Sequence, residues 1–546
     1  MTRIKSRQTI WQLALRVLSV GLLPALTAYP AFGAERIRFN YGALERSIPI
    51  SSLEAYAKTG KMDDQLAAYS QYIDKKQLTQ LRQTLITPIN LNEVAVSQFL
   101  YTPTGERLLQ TLGKVIQTES RLSGFYAIRA ALILAAADSN NFTLLNVLNK
   151  FPASEISINL SQSLQIVNAL QNLANQTQNA VALINQQSQQ GINTASTVNL
   201  SPFMDLGKSG SFRFFKQTIV LNDLTRNRNF PVDIYLPVAQ NPRSIIIISH
   251  GLGSDRTSFA YLAEHLASYG FVVAVPEHPG SNSKQIEALL AGTADRVTNP
   301  RELIDRPLDI KYLLDELTRL SKSNSTFRGR LNLEQVGIVG QSFGGYTALA
   351  LAGAKINFEK LQASCPTFEN TLNVSLLLQC LAINLPSSSY NNLSEPRIKA
   401  VIAMNPVDSS IFGQASLSQI KIPVMIVSGS ADTVTPALPE QIQPFIWLTT
   451  QNKYLALING GTHFSTIAES PNAAVPVPTQ AIGSSPALAR RYVKALSVPF
   501  FESYIAGQPS YLSYLSSDYA NKISQQPLPL SLINSLTDEQ LKQAFQ

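Results

Sequence analysis

Cysteine and histidine are both scarce in this sequence, which has two cysteines and four histidines among 546 residues. Neither Cys365 nor Cys380 has the neighbouring ligands that a metal site needs, so the sequence gives no support for a metal centre. The two thiols could pair in an oxidising compartment and close a short loop, or they could stay buried as free thiols. With so few histidines, any chemistry that needs an imidazole base has few candidates.

Charged residues and long apolar runs are also few. Asp, Glu, Lys and Arg make up 15% of the chain, and its net charge of +8 is not gathered into a basic block, so nothing resembles a nucleic-acid-binding surface. After the N-terminal segment, no run is long and apolar enough to span a bilayer. No phosphate loop and no carboxylate pair typical of a glycosidase stands out. A hydrophobic content of 45% over 546 residues indicates a globular protein of two or more domains.

The first 33 residues have the features of a secretory signal peptide. Basic residues precede the mostly apolar segment 17–28, and Ala31-Phe-Gly33 offers small residues at a plausible cleavage site. An uncleaved membrane anchor is the alternative, but the apolar segment is too short to cross a bilayer. We therefore expect residues 1–33 to be removed and the protein to be exported to a periplasmic, lumenal or extracellular location.

Residues 35–195 carry apolar side chains at helical spacing and almost no strand signals, which predicts an all-α N-terminal domain. Within it, residues 160–184 are predicted to form one long helix. The polar tract from Asn185 to Thr194 is predicted to be a linker. This part of the chain has no histidine and no recognisable catalytic constellation, and the sequence gives it no function.

Continuous apolar runs alternate with helical segments between residues 205 and 506. The runs, which suit strands covered on both faces, are 245–248, 271–275, 336–339, 401–404, 424–427 and 454–458. The alternation predicts an α/β domain with a mostly parallel, doubly wound sheet. Residues 355–396 form an insertion, either a cap over the carboxyl ends of the strands or a surface that packs on the helical domain. Residues 507–546 are left as a C-terminal tail that contains a short capped helix.

The segment Gly340-Gln-Ser-Phe-Gly344 is the most informative motif in the chain. An apolar run precedes it and a strong helix-forming segment follows it. In a G-x-S-x-G motif, this strand–turn–helix context presents the serine as a nucleophile at the top of a sheet. The small residues beside Ser342 permit the strained turn that this geometry needs.

A serine nucleophile needs a histidine base, and the histidine needs a carboxylate to fix its tautomer. When the serine lies in such a turn, the acid and then the histidine follow it in the chain. His463 is the one histidine after Ser342, so it is the predicted base. Asp432, which follows an apolar run and a small-residue turn, is the preferred acid. Asp408, one strand earlier, is its rival.

The charge that develops on a substrate carbonyl needs preorganised N–H donors, which form an oxyanion hole. One donor is expected from Phe343, the residue after the nucleophile. The other is expected from the loop that follows the strand 245–248, where Leu252 comes after the flexible Gly251. His250 is predicted to shape this turn through hydrogen bonds.

Three segments resemble the α/β-hydrolase superfamily, in the branch that holds platelet-activating-factor acetylhydrolases, dienelactone hydrolases and cutinase-like esterases. They are Ser249-His-Gly-Leu-Gly-Ser-Asp-Arg, Pro276-Glu-His-Pro-Gly-Ser and Gly340-Gln-Ser-Phe-Gly-Gly. The resemblance covers about residues 212–506 and implies an α/β-hydrolase fold and ester hydrolysis without a cofactor. Asn405 stands where the acid of the platelet-activating-factor enzymes would be, which weakens any transfer of phospholipid specificity. The arrangement as a whole is similar to cyanobacterial α/β-hydrolases with an N-terminal domain of unknown function.

These observations together predict a serine hydrolase, esterase- or lipase-like, that cleaves carboxylic esters through an acyl-enzyme. Its expected partners are small-molecule or lipid esters, with peripheral membrane contact left open, and neither nucleic acid nor a metal is expected. An acyltransferase that uses the same triad is one alternative. A non-catalytic binding protein built on a hydrolase fold is the other.

Overall fold

The computed structural model describes residues 33–70, 74–89, 91–138, 141–195, 204–368, 373–386 and 392–546. The apolar segment of the predicted signal peptide lies outside these residues. The chain divides into two compact units, Met1–Leu164 and Gln165–Gln546. Within the described residues, no helix combines the length and apolar character needed to cross a membrane.

The N-terminal unit contains a small sheet as well as helices, so the prediction of an all-α domain is wrong. Its strands pair in the order β2-β1-β4-β3 and are Arg36–Tyr41 (β1), Leu44–Pro49 (β2), Ile116–Thr118 (β3) and Glu155–Asn159 (β4). Their sequence signal is weak because the strands are only three to six residues long and contain no continuous apolar run. Gly42, at φ +59°, makes the tight turn between β1 and β2.

Helices form the rest of this unit and enclose its core. They are Ile50–Thr59 (α1), Asp64–Ser70 (α2), Lys75–Ile86 (α3), Glu93–Leu100 (α4), Pro103–Val115 (α5), Phe125–Ala136 (α6) and Leu144–Asn149 (α7). Local signals set several of their starts, since Asp74 forms a capping box with Gln77 and Thr102 caps the helix that begins at Pro103. Buried side chains such as Leu53, Leu85 and Leu109 pack between the helices.

A long helix, Leu160–Ala195 (α8), runs through the tract predicted to be a linker, so that prediction is wrong. The predicted domain boundary at residue 195 is wrong too, because the chain from Gln165 onward belongs to the second unit. Ala180, Ile184 and Ser188 are buried at four-residue spacing, which places them on one face of the helix. The polar tract is helical because this face packs on the rest of the second unit, where Asn185 and Asn459 exchange hydrogen bonds.

The second unit is built on a nine-stranded sheet within the described residues, in the order β13-β12-β11-β10-β9-β7-β8-β6-β5. The strands are Phe214–Asp223 (β5), Arg228–Pro237 (β6), Arg243–Ser249 (β7), Val272–Pro276 (β8), Leu331–Gln341 (β9), Ile398–Met404 (β10), Val424–Gly429 (β11), Lys453–Ile458 (β12) and Leu530–Ile533 (β13). The central strands β8, β7, β9, β10, β11 and β12 run parallel, and β5, β6 and β13 are antiparallel to their neighbours. The predicted mostly parallel sheet is confirmed.

Helices cover both faces of this sheet. They are Ala260–Ser268 (α9), Ser283–Leu290 (α10), Glu302–Ser323 (α11), Phe343–Leu351 (α12), Phe358–Ser364 (α13), Leu376–Gln379 (α14), Gly413–Leu417 (α15), Gln443–Trp447 (α16), Thr479–Ile482 (α17), Pro486–Tyr504 (α18), Ser517–Ile523 (α19) and Asp538–Ala544 (α20). A one-turn π-helix at Leu438–Ile442 leads into α16. The apolar strand residues 245–248 are fully buried, as expected of a strand covered on both faces.

The C-terminal residues are part of this core, which corrects their prediction as a tail. β13 pairs antiparallel with β12, and Tyr519 on α19 is fully buried. The expected capped helix is present as α20, where Thr537 and Gln540 form a capping box. The composition of residues 507–546 does not indicate a strand, because β13 has few apolar residues. They are buried by pairing with β12, which lies about 70 residues earlier in the chain.

The insertion after α12 packs on the segments that follow β10 and β11, at the carboxyl edge of the sheet. The side-chain oxygen of Gln379 accepts hydrogen bonds from the backbone N–H groups of Ser410 (2.7 Å) and Ile411 (2.8 Å). The same insertion and residues 169–176 of α8 line a cavity of about 430 Å³. The insertion therefore lies against the carboxyl edge of the strands and shares a cavity with the long helix.

A disulfide joins Cys365 to Cys380 inside this insertion, across a sequence separation of 15 residues. Closing a loop of that length restricts the unfolded chain, so the variant Cys365→Ser/Cys380→Ser should lose about 3 kcal/mol of unfolding free energy. Urea unfolding measures the loss. The control is the wild-type protein with dithiothreitol, which should unfold like the double variant because the chain has no other cysteine. Equal midpoints for the oxidised and reduced wild type would contradict the prediction.

Candidate active site

Ser342 lies in a sharp turn between β9 and α12, as its motif predicts. Its backbone has φ 56° and ψ −117°, a conformation that non-glycine residues rarely adopt. The turn is tight because a Cβ atom on Gly340 would lie 1.9 Å from the carbonyl oxygen of Gly344, and one on Gly344 would lie 2.0 Å from that of Ser249. Ser342 is 7% exposed and its N–H donates to the carbonyl of Met404 (2.9 Å). The strained turn thus places the serine at the carboxyl end of the sheet.

His463 and Asp432 come together beside this turn. Asp432 follows β11 and His463 follows β12, so the parallel strands deliver both to the same edge. The distance from His463 Nδ1 to Asp432 Oδ2 is 2.8 Å. Burial alone would raise the pKa of Asp432, but His463 and the hydrogen bonds from Thr435 outweigh it and lower that pKa. The carboxyl group is therefore ionised and able to accept the imidazole N–H.

The Asp432 carboxylate is held by further donors that no sequence motif indicates. The backbone N–H groups of Val434 and Thr435 each donate to Oδ1 at 2.8 Å. The Thr435 hydroxyl donates to Oδ2 at 2.8 Å, and the Asn405 amide donates to the same oxygen. Asn405, noticed in the sequence only as a missing acid, thus orients the acid on the next strand. Its position at a strand end was the one available signal.

Gln341 fixes the tautomer of His463. Its side-chain nitrogen donates to the His463 carbonyl (3.2 Å) and lies 3.3 Å from His463 Nε2. Because the carbonyl can only accept, the amide must present its NH₂ group there, and Nε2 must be the unprotonated acceptor. The proton then lies on Nδ1, which donates it to Asp432. The described hydrogen bonds do not include one from Ser342 Oγ to His463 Nε2, a contact that often tightens only when substrate binds.

Asp408 lies away from this histidine. It is fully buried, and neither of its carboxylate oxygens has a hydrogen-bond partner among the described residues. Burial, together with the nearby charge of Glu440, raises the pKa of Asp408 well above its usual range. The geometry therefore brings Asp432, and not its rival, to His463.

The two predicted oxyanion donors lie at the end of β7 and the start of α12. Among the described residues, neither the N–H of Leu252 nor that of Phe343 donates to a protein acceptor, whereas the N–H of Gly253 donates to the carbonyl of Ser281 (2.8 Å). A Cβ atom on Gly251 would lie 2.5 Å from the side-chain oxygen of Gln341, which explains the glycine there. Neither N–H group is therefore committed to a protein acceptor that a ligand would have to displace.

His250 shapes the loop, as expected from the sequence. Its Nδ1 donates to the carbonyl of Gly251 (2.8 Å), and its Nε2 accepts from the N–H of His278 (3.1 Å). Burial and the charge of Arg306 lower the pKa of His250 to about 4, so the imidazole is neutral near pH 7. A neutral ring is what this donor and acceptor pattern requires.

Comparison with known proteins gives matches in both units. A family model described as platelet-activating factor acetylhydrolase, isoform II, matches residues 213–305. The second unit has an α/β-hydrolase fold. A second model, described as an alpha/beta hydrolase of unknown function, matches residues 33–159, which lie in the N-terminal unit. The two matches together support a resemblance of this chain to the α/β-hydrolase superfamily.

Curated relatives are cutinases at low identity. Cutinase est1 of Thermobifida alba is 24% identical over 241 residues, which cover 42% of this chain and 57% of the relative. Cutinase 2 of Thermobifida cellulosilytica is 23% identical over 269 residues, covering 48% of this chain and 72% of the relative. The chain thus spans little more than half the length of the first of these relatives. Together with the family matches, they support a serine ester hydrolase in general terms.

Proposed function

We propose that this protein is a carboxylic ester hydrolase in which Ser342 is the nucleophile, His463 the base and Asp432 the acid. The observation that carries the proposal is the pair of His463 and Asp432, 2.8 Å apart, beside the strained turn of Ser342. The amide of Gln341 leaves His463 with the lone pair on Nε2, the state that a general base needs. The complete set of donors around Asp432 keeps the carboxylate in place.

The reaction follows from these positions. Ser342 Oγ attacks the ester carbonyl while its proton passes to His463 Nε2, and Asp432 stabilises the imidazolium that forms. The N–H groups of Leu252 and Phe343 stabilise the oxyanion. The imidazolium returns the proton to the leaving alcohol, which leaves an acyl group on Ser342. Water, deprotonated by His463, then attacks this acyl-enzyme. The imidazolium returns that proton to Ser342 Oγ as the acyl–serine bond breaks and the carboxylic acid leaves.

The protein is proposed to act after export, with residues 1–33 removed. The substrate is a small-molecule or lipid ester, and a series of p-nitrophenyl esters of increasing acyl length would define the acyl group. The N-terminal unit is not needed for any step derived above.

Covalent labelling of Ser342 by a fluorophosphonate probe tests the proposal. The folded protein should be labelled on the peptide that contains Ser342, and labelling should be lost in Ser342→Ala and in heat-denatured wild type. Peptide mapping also distinguishes Ser342 from Ser249, which lies 3.0 Å from His278 Nε2 but is fully buried. A folded protein that takes up no label and hydrolyses no ester would overturn the proposal.

A further inference from the structure

A buried arginine contacts the two chain segments that carry the candidate oxyanion donors. Arg306, on α11, is 0% exposed. Its Nη2 donates to the carbonyl of His250, the residue that begins the loop carrying Leu252. Its guanidinium carbon lies 4.4 Å from the centre of the Phe343 ring. One side chain therefore contacts both segments that supply the proposed N–H donors.

The remaining groups around Arg306 keep it in this position. Nη2 also donates to Ser249 Oγ (3.3 Å) and Nη1 donates to Ser281 Oγ (3.2 Å), and Nε alone lacks a partner among the described residues. Burial lowers the pKa of Arg306 to about 9, against the opposing effect of the Glu302 and Asp309 charges. The guanidinium therefore stays charged near pH 7. Burying a cation is costly unless it is well bonded, and these acceptors and the nearby carboxylates supply that compensation.

A second Ser–His–Asp arrangement orients Ser249, which is one of the hydrogen-bond partners of Arg306. Ser249 Oγ lies 3.0 Å from His278 Nε2, and His278 Nδ1 lies 3.1 Å from Asp309 Oδ2. Asp309 accepts from Arg228 and can only accept, so Nδ1 carries the proton and Nε2 accepts from the Ser249 hydroxyl. Ser249 then has its oxygen lone pairs free for Arg306. Since all three residues are fully buried, this arrangement cannot meet a substrate and instead orients the arginine.

We propose that Arg306 is the positioning residue of the oxyanion hole. It ties the His250 carbonyl to the Phe343 ring and so sets the spacing between the N–H groups of Leu252 and Phe343. The inference rests on the proposed ester hydrolysis. It adds a component that acts through the backbone and does not touch the substrate.

The variants Arg306→Met and Arg306→Lys test this inference. In Arg306→Met, kcat for a p-nitrophenyl ester should fall about 10²-fold, the effect of disturbing one oxyanion donor, while KM changes little. Affinity for a trifluoromethyl ketone, which forms a tetrahedral adduct, should weaken by a similar factor. Arg306→Lys keeps the charge but cannot bond the carbonyl and stack on the ring together, so it should restore activity only in part.

Arg243→Met is the matched control. Arg243 also joins a backbone carbonyl, that of Gly270 (2.6 Å), to an aromatic ring, that of Phe212 (4.7 Å), but it lies at the opposite end of β7. It should lose stability with unchanged kcat. Each kcat is expressed per site labelled at saturation by the fluorophosphonate, so a variant that folds poorly is still measured on its folded fraction. If Arg306→Met yields no folded protein, Arg306→Lys alone provides the test.

The outcomes separate the two proposals. A wild-type protein that is folded, unlabelled and inactive overturns the proposed function and this inference with it. An active wild type whose Arg306 variants keep their kcat, or lose kcat and ketone affinity no more than Arg243→Met does, overturns the role of Arg306 alone.

Discussion

Asp432→Asn is expected to lower kcat for ester hydrolysis by about 10⁴-fold, the loss that follows when a triad histidine is held in the wrong tautomer. The asparagine would present an NH₂ group or a weaker acceptor to His463 Nδ1. If the ring responds by moving its proton to Nε2, it can no longer accept a proton from Ser342. The amide of Gln341 would then face an N–H group at a present separation of 3.3 Å, which adds repulsion between two donors.

Asp408→Asn is the matched control, since it makes the same chemical change one strand away. Activity should be unchanged because Asp408 does not contact His463. If Asp408→Asn abolished hydrolysis while Asp432→Asn kept it, the roles assigned to the two aspartates would have to be exchanged. Steady-state rates with p-nitrophenyl acetate, together with fluorophosphonate labelling of both variants, make the comparison.

The variant Asp408→Asn should also differ from the wild type in unfolding free energy, by an amount that depends on pH. The folded-state pKa of Asp408 is raised well above its unfolded value by burial and Glu440. The folded state therefore binds more protons than the unfolded state, and the wild type loses stability as pH rises above about 4, the pKa of an unperturbed aspartate. Asp408→Asn removes this loss. Its gain in unfolding free energy over wild type should be larger at pH 8 than at pH 4, measured by urea unfolding.

The fold of the second unit could be predicted because its strands are buried on both faces. Continuous apolar runs such as 245–248 and 336–339 indicate such strands from local sequence alone. The small sheet of the N-terminal unit offers no such signal, since β3 is three residues long. The end of α8 has the composition of a linker because Ser188, a buried residue of the polar tract, is itself polar.

The candidate site divides in the same way. Ser342 and His463 could be located because a local motif and the order of the chain constrain them. Asn405 and Arg306 could not, since they meet Asp432 and His250 only across separations of 27 and 56 residues. Each acts on a residue that lies close only after the sheet has formed, and no local sequence pattern indicates that contact.

Gly344→Ala is expected to cost at least about 4 kcal/mol of unfolding free energy, the range of severe steric or backbone disruption. The added Cβ would lie 2.0 Å from the carbonyl oxygen of Ser249 and 2.9 Å from that of His250. Both are backbone atoms, so no side-chain rotation relieves the overlap. The higher helix propensity of alanine would offset only about 1 kcal/mol of this loss in unfolding free energy. Either α12 or the end of β7 must move, and the second movement displaces the loop of Leu252.

Gly353→Ala separates steric overlap from backbone strain. Gly353 lies just after the same helix at φ +113°, and a Cβ atom there meets nothing within 4 Å. It should cost about 1–2 kcal/mol through its left-handed conformation alone and keep full activity. Chemical unfolding of both variants gives the comparison, and kcat per labelled site reports on the loop. A Gly344→Ala protein as stable and as active as Gly353→Ala would mean that the turn of Ser342 does not depend on the close approach of α12 to β7.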